Sequence, residues 1–395
     1  MNARVCRAGS KKTERFRESV IRDMSRLAQV HKAVNLGQGV PDFPCPPELK
    51  DSAKEAISDE INQYSNTWGD AQLRQAVAEK ALGNLSSKVD PETQITITCG
   101  ATEAMVASLL ALIDADEELI VFEPFYENYG PEAIFAGAMT RHVPLKKPDW
   151  TFDEKELALA FNDKTRAIIV NTPHNPTGKV FSKEELSAIA KLCQKWGVIA
   201  ITDEIYEHIL YDGHEHISIG SLPGMEDLTV TISSLSKTYS VTGWRVGWAI
   251  ASVPLTASIR KVHDFLSVCA PAPLQRGGVK AIKMPEKFYD ELAMEYEERR
   301  KHLLDTLDMV GIPYFKPQGA YYVFCDVSRF GFANDIAFAK HLVEEVGVAV
   351  VPGASFLAPT PPGRQFVRFC FSRKLETLEK ARERLVKSPL LKPRS

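Results

Sequence analysis

A single lysine lies among small hydroxyl residues in the stretch SLSKTYSVTGWRVGW, residues 234–248. Lys237 follows the β-rich run TVTISS, with Ser234 and Ser236 just before it and Arg245 eight positions after it. Removal of water at the end of a buried strand lowers the pKa of a lysine and makes its amine a Schiff-base nucleophile. Two hydroxyls and an arginine are donors that suit a phosphate group. Taken alone, however, the stretch is better explained by a solvated lysine on a surface loop.

Two further runs of polar residues follow β-rich segments. RAIIV is followed by NTPHNPTGKVF, where prolines and a glycine turn hold Asn175 in a rigid loop, and VIAIT is followed by DEIYEHI, which contains Asp203 and Tyr206. A carboxylate at a buried strand end requires a cation or a strong hydrogen-bond donor. Two of these residues also have a purely structural explanation: Asn175 as an Asx-turn residue and Asp203 as the N-cap of the following helix.

A strand-to-helix turn of small residues completes the pattern. The run ITIT leads into CGATEA and then into the helical pattern AMVASLLALI. Small residues let the backbone N–H groups around Gly100, Ala101 and Thr102 approach an anion, and the N-terminus of a helix favours a phosphate. This signal is weak by itself, because many such turns are only helix caps.

The elements that position these residues alternate along the chain. Between about residues 95 and 252, helical patterns separate seven β-rich runs: ITIT, ELIVFEP, MTRHVPL, RAIIVNTP, VIAITDE, TVTISS and RVGWAIA. The clearest helix is FSKEELSAIAKLCQKWG, with a capping box at Ser182 and Glu185 and an end at Gly197. Near-continuous apolar strands separated by amphipathic helices indicate an α/β protein with a largely parallel sheet covered on both faces.

Such a sheet brings the polar residues together, because ligands bind at the carboxyl ends of its strands. That edge then carries a lysine, the strand-to-helix turn that suits a phosphate, an arginine, a buried aspartate and a tyrosine. These are the groups needed to hold a phosphorylated aldehyde cofactor with a pyridine ring. The structural explanations are reasonable for each residue separately, but the joint occurrence of these residues favours the cofactor site.

The character of the sequence changes after about residue 285. A long charged helix, PEKFYDELAMEYEERRKHLLDTLDMVG, precedes mixed strands and helices that include AYYVFCDV, VAVVPG and RQFVRFCF, as is typical of an α+β domain. We predict a large cofactor-binding domain over residues 46–285 and a small C-terminal domain over residues 286–395. Residues 1–45 are predicted to form an N-terminal arm and part of the small domain.

Composition and charge restrict the class of protein. The 395 residues carry a formal net charge of −3, so there is no electrostatic reason to expect nucleic acid or a membrane as partner, and we expect a small-molecule substrate. No apolar run approaches the ~20 residues that cross a bilayer. Seven scattered cysteines without a CxxC pair indicate reduced thiols and a cytoplasmic location. His214 and His216 lack a third ligand nearby, so a solvated turn is expected there and no metal site.

Together, these motifs resemble the class I, fold type I family of pyridoxal-phosphate-dependent aminotransferases. SLSKTYSVTGWRVGW is similar to the lysine signature of that family, and NTPHNPTGKVF, ITDEIYEHI and EPFYENY match its other landmarks in the right order. The resemblance extends from NLGQGVPDF to VRFCFS, and within the family the chain looks most like the kynurenine–glutamine and aromatic or methionine aminotransferases. It implies pyridoxal 5'-phosphate as cofactor, an aspartate-aminotransferase-like fold with a mainly parallel seven-stranded sheet, and a homodimer with shared active sites.

The resemblance also implies a role for each matching residue near the cofactor ring. Lys237 forms a Schiff base with the cofactor and then moves a proton between the substrate α-carbon and the cofactor. Asp203 pairs with the pyridinium nitrogen and keeps it protonated. Tyr206 and Asn175 hydrogen-bond the phenolic oxygen, and Tyr126 stacks on the ring face.

The cofactor phosphate and the substrate carboxylate have their own implied partners. The phosphate is held by Gly100, Ala101, Thr102, Ser234, Ser236 and Arg245, and Tyr64 reaches the phosphate of the neighbouring subunit. Arg368 is similar to the arginine that grips the substrate α-carboxylate beside Asn175. Gly37 is similar to the loop glycine whose backbone closes over that carboxylate, so closure of the small domain assembles the site.

Transamination is the expected activity. An aromatic, methionine-like or glutamine-like amino acid, or kynurenine, transfers its α-amino group to a 2-oxo acid by a ping-pong mechanism. Two alternatives stay open: β-elimination from a cysteine conjugate, and an aspartate-type aminotransferase. A third alternative, a sensor domain built on the same fold, is disfavoured. It would need ~60 further residues for a DNA-binding module, which the sequence does not offer, and it would not need the intact Lys237. A second arginine in the pocket would favour dicarboxylates, but none can be placed from the sequence.

Overall fold

The computed structural model describes residues 9–16, 18–85, 87–358 and 365–391. The α-helices in these ranges are α1 (Val20–Val30), α2 (Pro47–Ser58), α3 (Ala71–Ala81), α4 (Gly100–Leu112), α5 (Tyr129–Ala136), α6 (Glu154–Ala160), α7 (Lys183–Trp196), α8 (Val253–Leu266), α9 (Ala272–Ile282), α10 (Glu286–Val310), α11 (Asp335–His341) and α12 (Leu375–Lys387). The strands are β1 (Val34–Asn35), β2 (Ile95–Thr98), β3 (Glu118–Glu123), β4 (Met139–Pro144), β5 (Thr165–Asn171), β6 (Ile199–Asp203), β7 (Thr229–Ser234), β8 (Gly247–Ala251), β9 (Tyr314–Phe315), β10 (Tyr322–Asp326), β11 (Val348–Ala349), β12 (Val351–Pro352) and β13 (Phe366–Cys370).

The central sheet contains seven strands in the order β2-β8-β7-β6-β5-β3-β4. Neighbouring strands from β7 to β4 are parallel, and β8 runs antiparallel to β2 and to β7. In β6, Ile199 and Ile201 pack into the core on one face of the sheet, and Ala200 packs on the other face. Burial of both faces requires continuous apolar runs. The prediction of an α/β protein with a mainly parallel seven-stranded sheet is confirmed.

Helix α7 begins and ends where its sequence indicates. The Glu185 N–H donates to the Ser182 hydroxyl at 3.2 Å, and the Ser182 N–H donates to the Glu185 carboxylate at 2.9 Å, so the capping box is formed. Gly197 ends the helix with a φ of +67°, the left-handed conformation that glycine adopts without strain.

Helix α9 contains two glycines in its interior, each of which costs about 1 kcal/mol relative to alanine. The first of these glycines, Gly277, is required because α9 packs closely against α2 and against the loop that contains Trp244. A Cβ atom at Gly277 would lie 2.6 Å from the Trp244 ring and 3.0 Å from the Leu49 carbonyl oxygen. Helix α9 therefore packs directly against α2 and against the loop that follows Lys237, which holds that loop in place.

A second, antiparallel sheet follows the order β12-β13-β10-β9. Helices α10 and α12 pack together, and Leu307 and Val323 belong to the same apolar core. Strand β1 pairs in parallel with β11, with Val34 opposite Val348, so the segment before α2 joins the C-terminal elements. The domain boundaries near residues 45 and 285 stay predictions.

The turn DGHEHIS differs from its prediction. The His216 side chain is 6% exposed, and its Nε2 atom lies 2.8 Å from the Glu204 carboxylate. The solvated turn predicted for His214 and His216 is therefore wrong at His216, because Glu204 provides a buried partner for the imidazole. Within the described residues, no group of three or more His, Cys, Asp and Glu side chains could hold a metal ion. No helix in these ranges is both long enough and apolar enough to cross a membrane.

Candidate active site

A cavity of about 220 Å³ lies at the carboxyl ends of the parallel strands. Its wall includes the last residues of β5, β6 and β7, the start of α4, and one residue of β13 from the second sheet. The predicted site residues that line it are Ala101, Thr102, Tyr126, Asn175, Asp203, Tyr206, Ser234, Ser236, Lys237, Arg245 and Arg368. The fold therefore brings most of the predicted residues to one place.

Three predicted residues do not line the cavity. Gly100 lies behind Arg245, against its guanidinium group. Gly37 lies behind Arg368, whose Nη2 donates to the Gly37 carbonyl oxygen at 2.8 Å. Tyr64 is 81% exposed, away from the cavity of its own chain.

The start of α4 forms one end of the cavity. Gly100 has a φ of +79°, and a Cβ atom there would lie 2.4 Å from the Arg245 Nη2 atom, so this position requires glycine. Arg245 donates to the Cys99 carbonyl at 3.3 Å, which keeps its guanidinium beside the helix N-terminus. Ser234 and Ser236 are buried on the same wall. A helix N-terminus, a guanidinium and two hydroxyls are a donor set for a phosphate group.

Asp203, the last residue of β6, contributes a buried carboxylate. The Tyr129 hydroxyl donates to its Oδ2 atom at 2.7 Å, and the Ile205 N–H donates to Oδ1 at 3.4 Å. Burial raises the pKa of Asp203 even so, because these donors and the charge of Lys237 offset burial only in part. The Asn171 amide donates to the Asp203 carbonyl at 2.9 Å and joins the ends of β5 and β6. Because burial of the Asp203 carboxylate is only partly offset, a cationic ligand group beside it would be favoured.

Glu132 is a second carboxyl group on this wall, one turn after Tyr129 on α5. Its side chain is buried, and among the described residues its Oε2 atom has no hydrogen-bond partner. Burial, followed by the charge of Asp203, raises the pKa of Glu132 to about 8. With a pKa of about 8, Glu132 is mostly protonated at pH 7, so it does not add a full second negative charge to that of Asp203.

Lys237 follows β7 on the same wall. Its Nζ atom donates to the Gly39 carbonyl at 3.1 Å and lies 6.0 Å from the centre of the Tyr206 ring. Burial, with a contribution from the charge of Arg368, lowers the pKa of Lys237 to about 8. With this pKa, roughly one in ten of these amines is uncharged at pH 7. The uncharged amine is the nucleophilic form.

Arg368 on β13 is 1% exposed and stacks on the Tyr322 ring, with its central carbon 4.0 Å from the ring centre. Its Nη1 atom donates to the Asn175 side-chain oxygen at 2.7 Å. Its Nε atom has no hydrogen-bond partner among the residues that the structure describes. Both oxygens that accept from this buried guanidinium are neutral and do not balance its positive charge, so this wall suits a carboxylate ligand.

Several wall residues were missed in the sequence. The Tyr322 hydroxyl lies 3.0 Å from the Tyr206 hydroxyl, although neither AYYVF nor its surroundings marks this tyrosine as a site residue. Tyr129 had one usable signal, its position three residues after Tyr126 in EPFYENY. Glu132 and the first turn of α1 had none, because both look like ordinary helix surface.

Comparison with known proteins agrees with this geometry. The family profile "Aminotransferase class I and II" matches residues 31–385. The probable N-succinyldiaminopimelate aminotransferase of Mycobacterium tuberculosis is 36% identical over 94% of this chain and 96% of its own length. Kynurenine–oxoglutarate transaminase 1 of Homo sapiens is 35% identical over 92% of this chain and 94% of its own length. The solved structure of N-succinyldiaminopimelate aminotransferase from Mycobacterium tuberculosis superposes with a TM-score of 0.93 at 36% identity, covering 96% of this chain and 99% of that one.

The seven-stranded α/β fold, with its site at the carboxyl edge of the sheet, is that of the aspartate-aminotransferase-like, fold type I enzymes. The chain belongs to the class I and II aminotransferase family, and it is a transaminase. Members of this family depend on pyridoxal 5'-phosphate.

Proposed function

We propose that this transaminase binds pyridoxal 5'-phosphate in the cavity and moves the α-amino group of an amino acid to a 2-oxo acid in two half-reactions. One observation carries the proposal: Lys237, Asp203 and Arg245 line the same cavity. Each supplies what a different part of the cofactor needs. The amine suits the aldehyde, the buried carboxylate suits the ring nitrogen, and the guanidinium suits the phosphate.

The residues present fit this cofactor. Burial raises the pKa of Asp203, and a protonated ring nitrogen beside this carboxylate would offset the effect of burial. The glycine at position 100 lets the Arg245 guanidinium lie against the start of α4, where a phosphate is favoured. When bound, the cofactor supplies an aldehyde carbon for the amine and a ring that withdraws electrons from the substrate α-carbon.

The walls of the cavity hold the cofactor in this proposal. Tyr129 orients the Asp203 carboxylate toward the ring nitrogen through their 2.7 Å hydrogen bond. The phosphate is bound by the backbone at Ala101 and Thr102 and by the side chains of Ser234, Ser236 and Arg245. Tyr206 and Asn175 face the phenolic oxygen, and Tyr126 lies against the ring. Tyr64 is exposed and reaches the site of a second copy in the proposed homodimer.

Two residues act directly on the substrate: Lys237 transfers its α-proton and Arg368 binds its α-carboxylate. With a pKa of about 8, Lys237 accepts the α-proton of the substrate and returns it within the same site. Arg368 binds the α-carboxylate, and the Asn175 side-chain oxygen accepts a 2.7 Å hydrogen bond from the Arg368 Nη1 atom and holds the guanidinium in position. Gly39, whose carbonyl contacts Lys237, lies on the loop that covers the site and excludes water.

The relatives are named for kynurenine, methionine and N-succinyldiaminopimelate. All three are amino acids with side chains longer than that of alanine. We infer that this chain also takes an amino donor with a long side chain, and we retain a cytoplasmic location as a prediction.

Single-turnover spectroscopy tests the proposed function. We expect the protein to retain pyridoxal 5'-phosphate, to absorb in the visible range, and to lose that band when an amino donor is added. Lys237→Ala should lower the rate of this step by roughly 10²- to 10⁴-fold, because the proton-transfer group is lost. The matched variant Lys237→Arg keeps the charge and should be as slow as Lys237→Ala. Unchanged turnover in Lys237→Ala, or a wild-type protein that does not retain the cofactor, would contradict the proposal.

An assay without a 2-oxo acid distinguishes transamination from β-elimination. β-Elimination of a cysteine conjugate consumes water and releases a thiol, ammonia and pyruvate in many turnovers. Transamination stops after one turnover when the acceptor is missing. Continuous ammonia release would therefore identify a lyase.

A further inference from the structure

The first turn of α1 closes one side of the cavity and contributes charge that the proposed reaction does not use. Ser19, Ile21 and Arg22 line the cavity there, beside Glu127 on the loop after β3. None of these four residues has a part in holding the cofactor, the α-carboxylate or the moving proton. They belong to the space that remains for the side chain of the substrate.

Glu127 holds this turn in place. The Ser19 hydroxyl donates to the Glu127 Oε1 atom, and the Ile21 N–H lies near the same carboxylate and lowers its pKa in part. A carboxylate at the N-terminus of the 11-residue helix α1 is also stabilised by the helix dipole. Glu127 thus directs its acceptor oxygens to α1 itself. These contacts fix the first turn of α1, and Arg22, which belongs to this turn, lines the cavity.

Arg22 differs from the other arginines nearby. Across the described part of the chain, its guanidinium makes no hydrogen bond and no ion pair, and the residue is exposed at the mouth of the cavity. Arg26, one turn further along α1, pairs with Glu18 and Asp23. Arg368 donates to two oxygen atoms deeper in the same cavity. Arg22 is therefore a cation with all of its donors available to a ligand.

The surroundings of Arg22 indicate the shape of that ligand. Arg22, Glu127 and Arg368 all line this cavity, and the positive charges of both arginines act on the Glu127 carboxylate, so the two guanidinium groups lie near one region of the wall. Ile21 and Val40 provide apolar surface on the wall. This arrangement matches an amino acid with an apolar stem between two carboxylates.

We propose that Arg22 binds the side-chain carboxylate of an acidic amino-acid substrate while Arg368 holds its α-carboxylate. The inference rests on the proposed transaminase function and narrows its substrate class. Because Arg22 lies at the exposed mouth and Arg368 is deeply buried, a side chain at least as long as that of glutamate is favoured. Burial raises the pKa of Glu127 and its carboxyl group is held by hydrogen bonding to α1, and both reduce the repulsion that it exerts on such a substrate. Arg22 touches no reacting atom, so it determines which substrate is accepted and not the chemistry.

Matched pairs of amino acids test this assignment in the cofactor-loaded enzyme. Glutamate and glutamine differ only in the terminal group, 2-aminoadipate extends the acid by one carbon, and methionine is a neutral reference. The rate of the amino-donor half-reaction, divided by the dissociation constant, is measured for each in wild type, Arg22→Gln and Arg22→Lys. Arg26→Gln is the matched control, since this arginine lies on the same helix with its side chain 60% exposed and paired to Glu18.

We expect the wild type to prefer glutamate or 2-aminoadipate over glutamine. In Arg22→Gln this preference should fall roughly 10-fold or more, as expected for the loss of one charge-assisted hydrogen bond. Arg22→Lys should keep part of the preference, Arg26→Gln all of it, and methionine should react equally in all four proteins. An unchanged preference in Arg22→Gln, or a wild type that reacts faster with glutamine or methionine than with both acids, would overturn the assignment. Failure of the proposed function itself looks different: no amino acid, methionine included, would then change the spectrum.

Discussion

Replacement of Glu132 by glutamine removes a titrating group from the cavity wall and keeps the size of the side chain. Glu132 is 4% exposed and lies within the influence of the Asp203 carboxylate. Burial, followed by that charge, raises the pKa of Glu132 from 4.5 to about 8. Between these two pH values the folded protein keeps a proton that the unfolded chain has released.

This difference in bound protons makes the free energy of unfolding fall as the pH rises. One pKa unit corresponds to about 1.4 kcal/mol, so a shift from 4.5 to about 8 corresponds to roughly 5 kcal/mol of lost stability. Water entry and side-chain adjustment reduce this value in a real cavity, and we expect ~3 to 5 kcal/mol. Above pH 8 the wild type has lost this part of its free energy of unfolding. Glu132→Gln does not lose it, because glutamine does not ionise.

Urea unfolding of the cofactor-free protein at pH 5, 7 and 8.5 measures the effect. The stability of Glu132→Gln relative to wild type should rise by ~3 to 5 kcal/mol from the lowest to the highest pH. Glu55→Gln, at an exposed position of α2, is the control, and its difference from wild type should stay within about 0.5 kcal/mol. Parallel pH curves for wild type and Glu132→Gln would refute the reasoning, because they would show that Glu132 titrates alike in the folded and unfolded chains.

Two further predictions concern residues that support the site. In Gly100→Ala the new methyl group would lie 2.4 Å from the Arg245 Nη2 atom, so we expect cofactor affinity to fall roughly 10-fold or more; an unchanged Kd in a fluorescence titration would contradict this. His263 lies between two acceptors, the Glu103 carboxylate at 2.7 Å and the Thr67 carbonyl at 2.6 Å, and only a doubly protonated ring donates to both. Burial disfavours the charged ring, but these two partners outweigh burial and raise the pKa of His263, so its stabilisation is complete below pH 6.5 and is lost as the pH rises through the raised value. The stability advantage of wild type over His263→Gln in urea should therefore shrink by about 1–2 kcal/mol between pH 6 and pH 9, and a constant advantage would show that the proton is not involved.

The central sheet and helix α7 could be predicted because their signals are local. A strand buried on both faces must be apolar throughout, and β6 shows this with Ile199 and Ala200 on opposite faces. The capping box of α7 involves Ser182 and Glu185, only three residues apart, and its hydrogen bonds form as the pattern indicates. Asp203 and Lys237 were predictable for a related reason, since each stands at or just beyond the end of a recognisable strand.

His216 shows where local patterns fail. The polar sequence DGHEHIS predicted solvation, but Glu204, which lies 12 residues earlier, pairs with this imidazole in a buried position. The sequence likewise did not mark Glu132 or Arg22 as site residues, because their surroundings depend on segments far away in the chain. A helical glutamate or arginine in an amphipathic pattern looks alike whether its helix faces water or a cavity.

Local sequence was sufficient to predict which segments form the central sheet and which polar residues follow them, and hence the residues expected at one edge of the sheet. The completed site required contacts between segments far apart in the chain. Arg368 meets Asn175 across 193 residues, and Tyr322 meets Tyr206 across 116 residues. These contacts arise when the two sheets pack together, and the relative position of two packed elements is not encoded in the periodicity of either one. The same packing places the α1 turn over the cavity, and with it Arg22, the second arginine that no sequence pattern could locate.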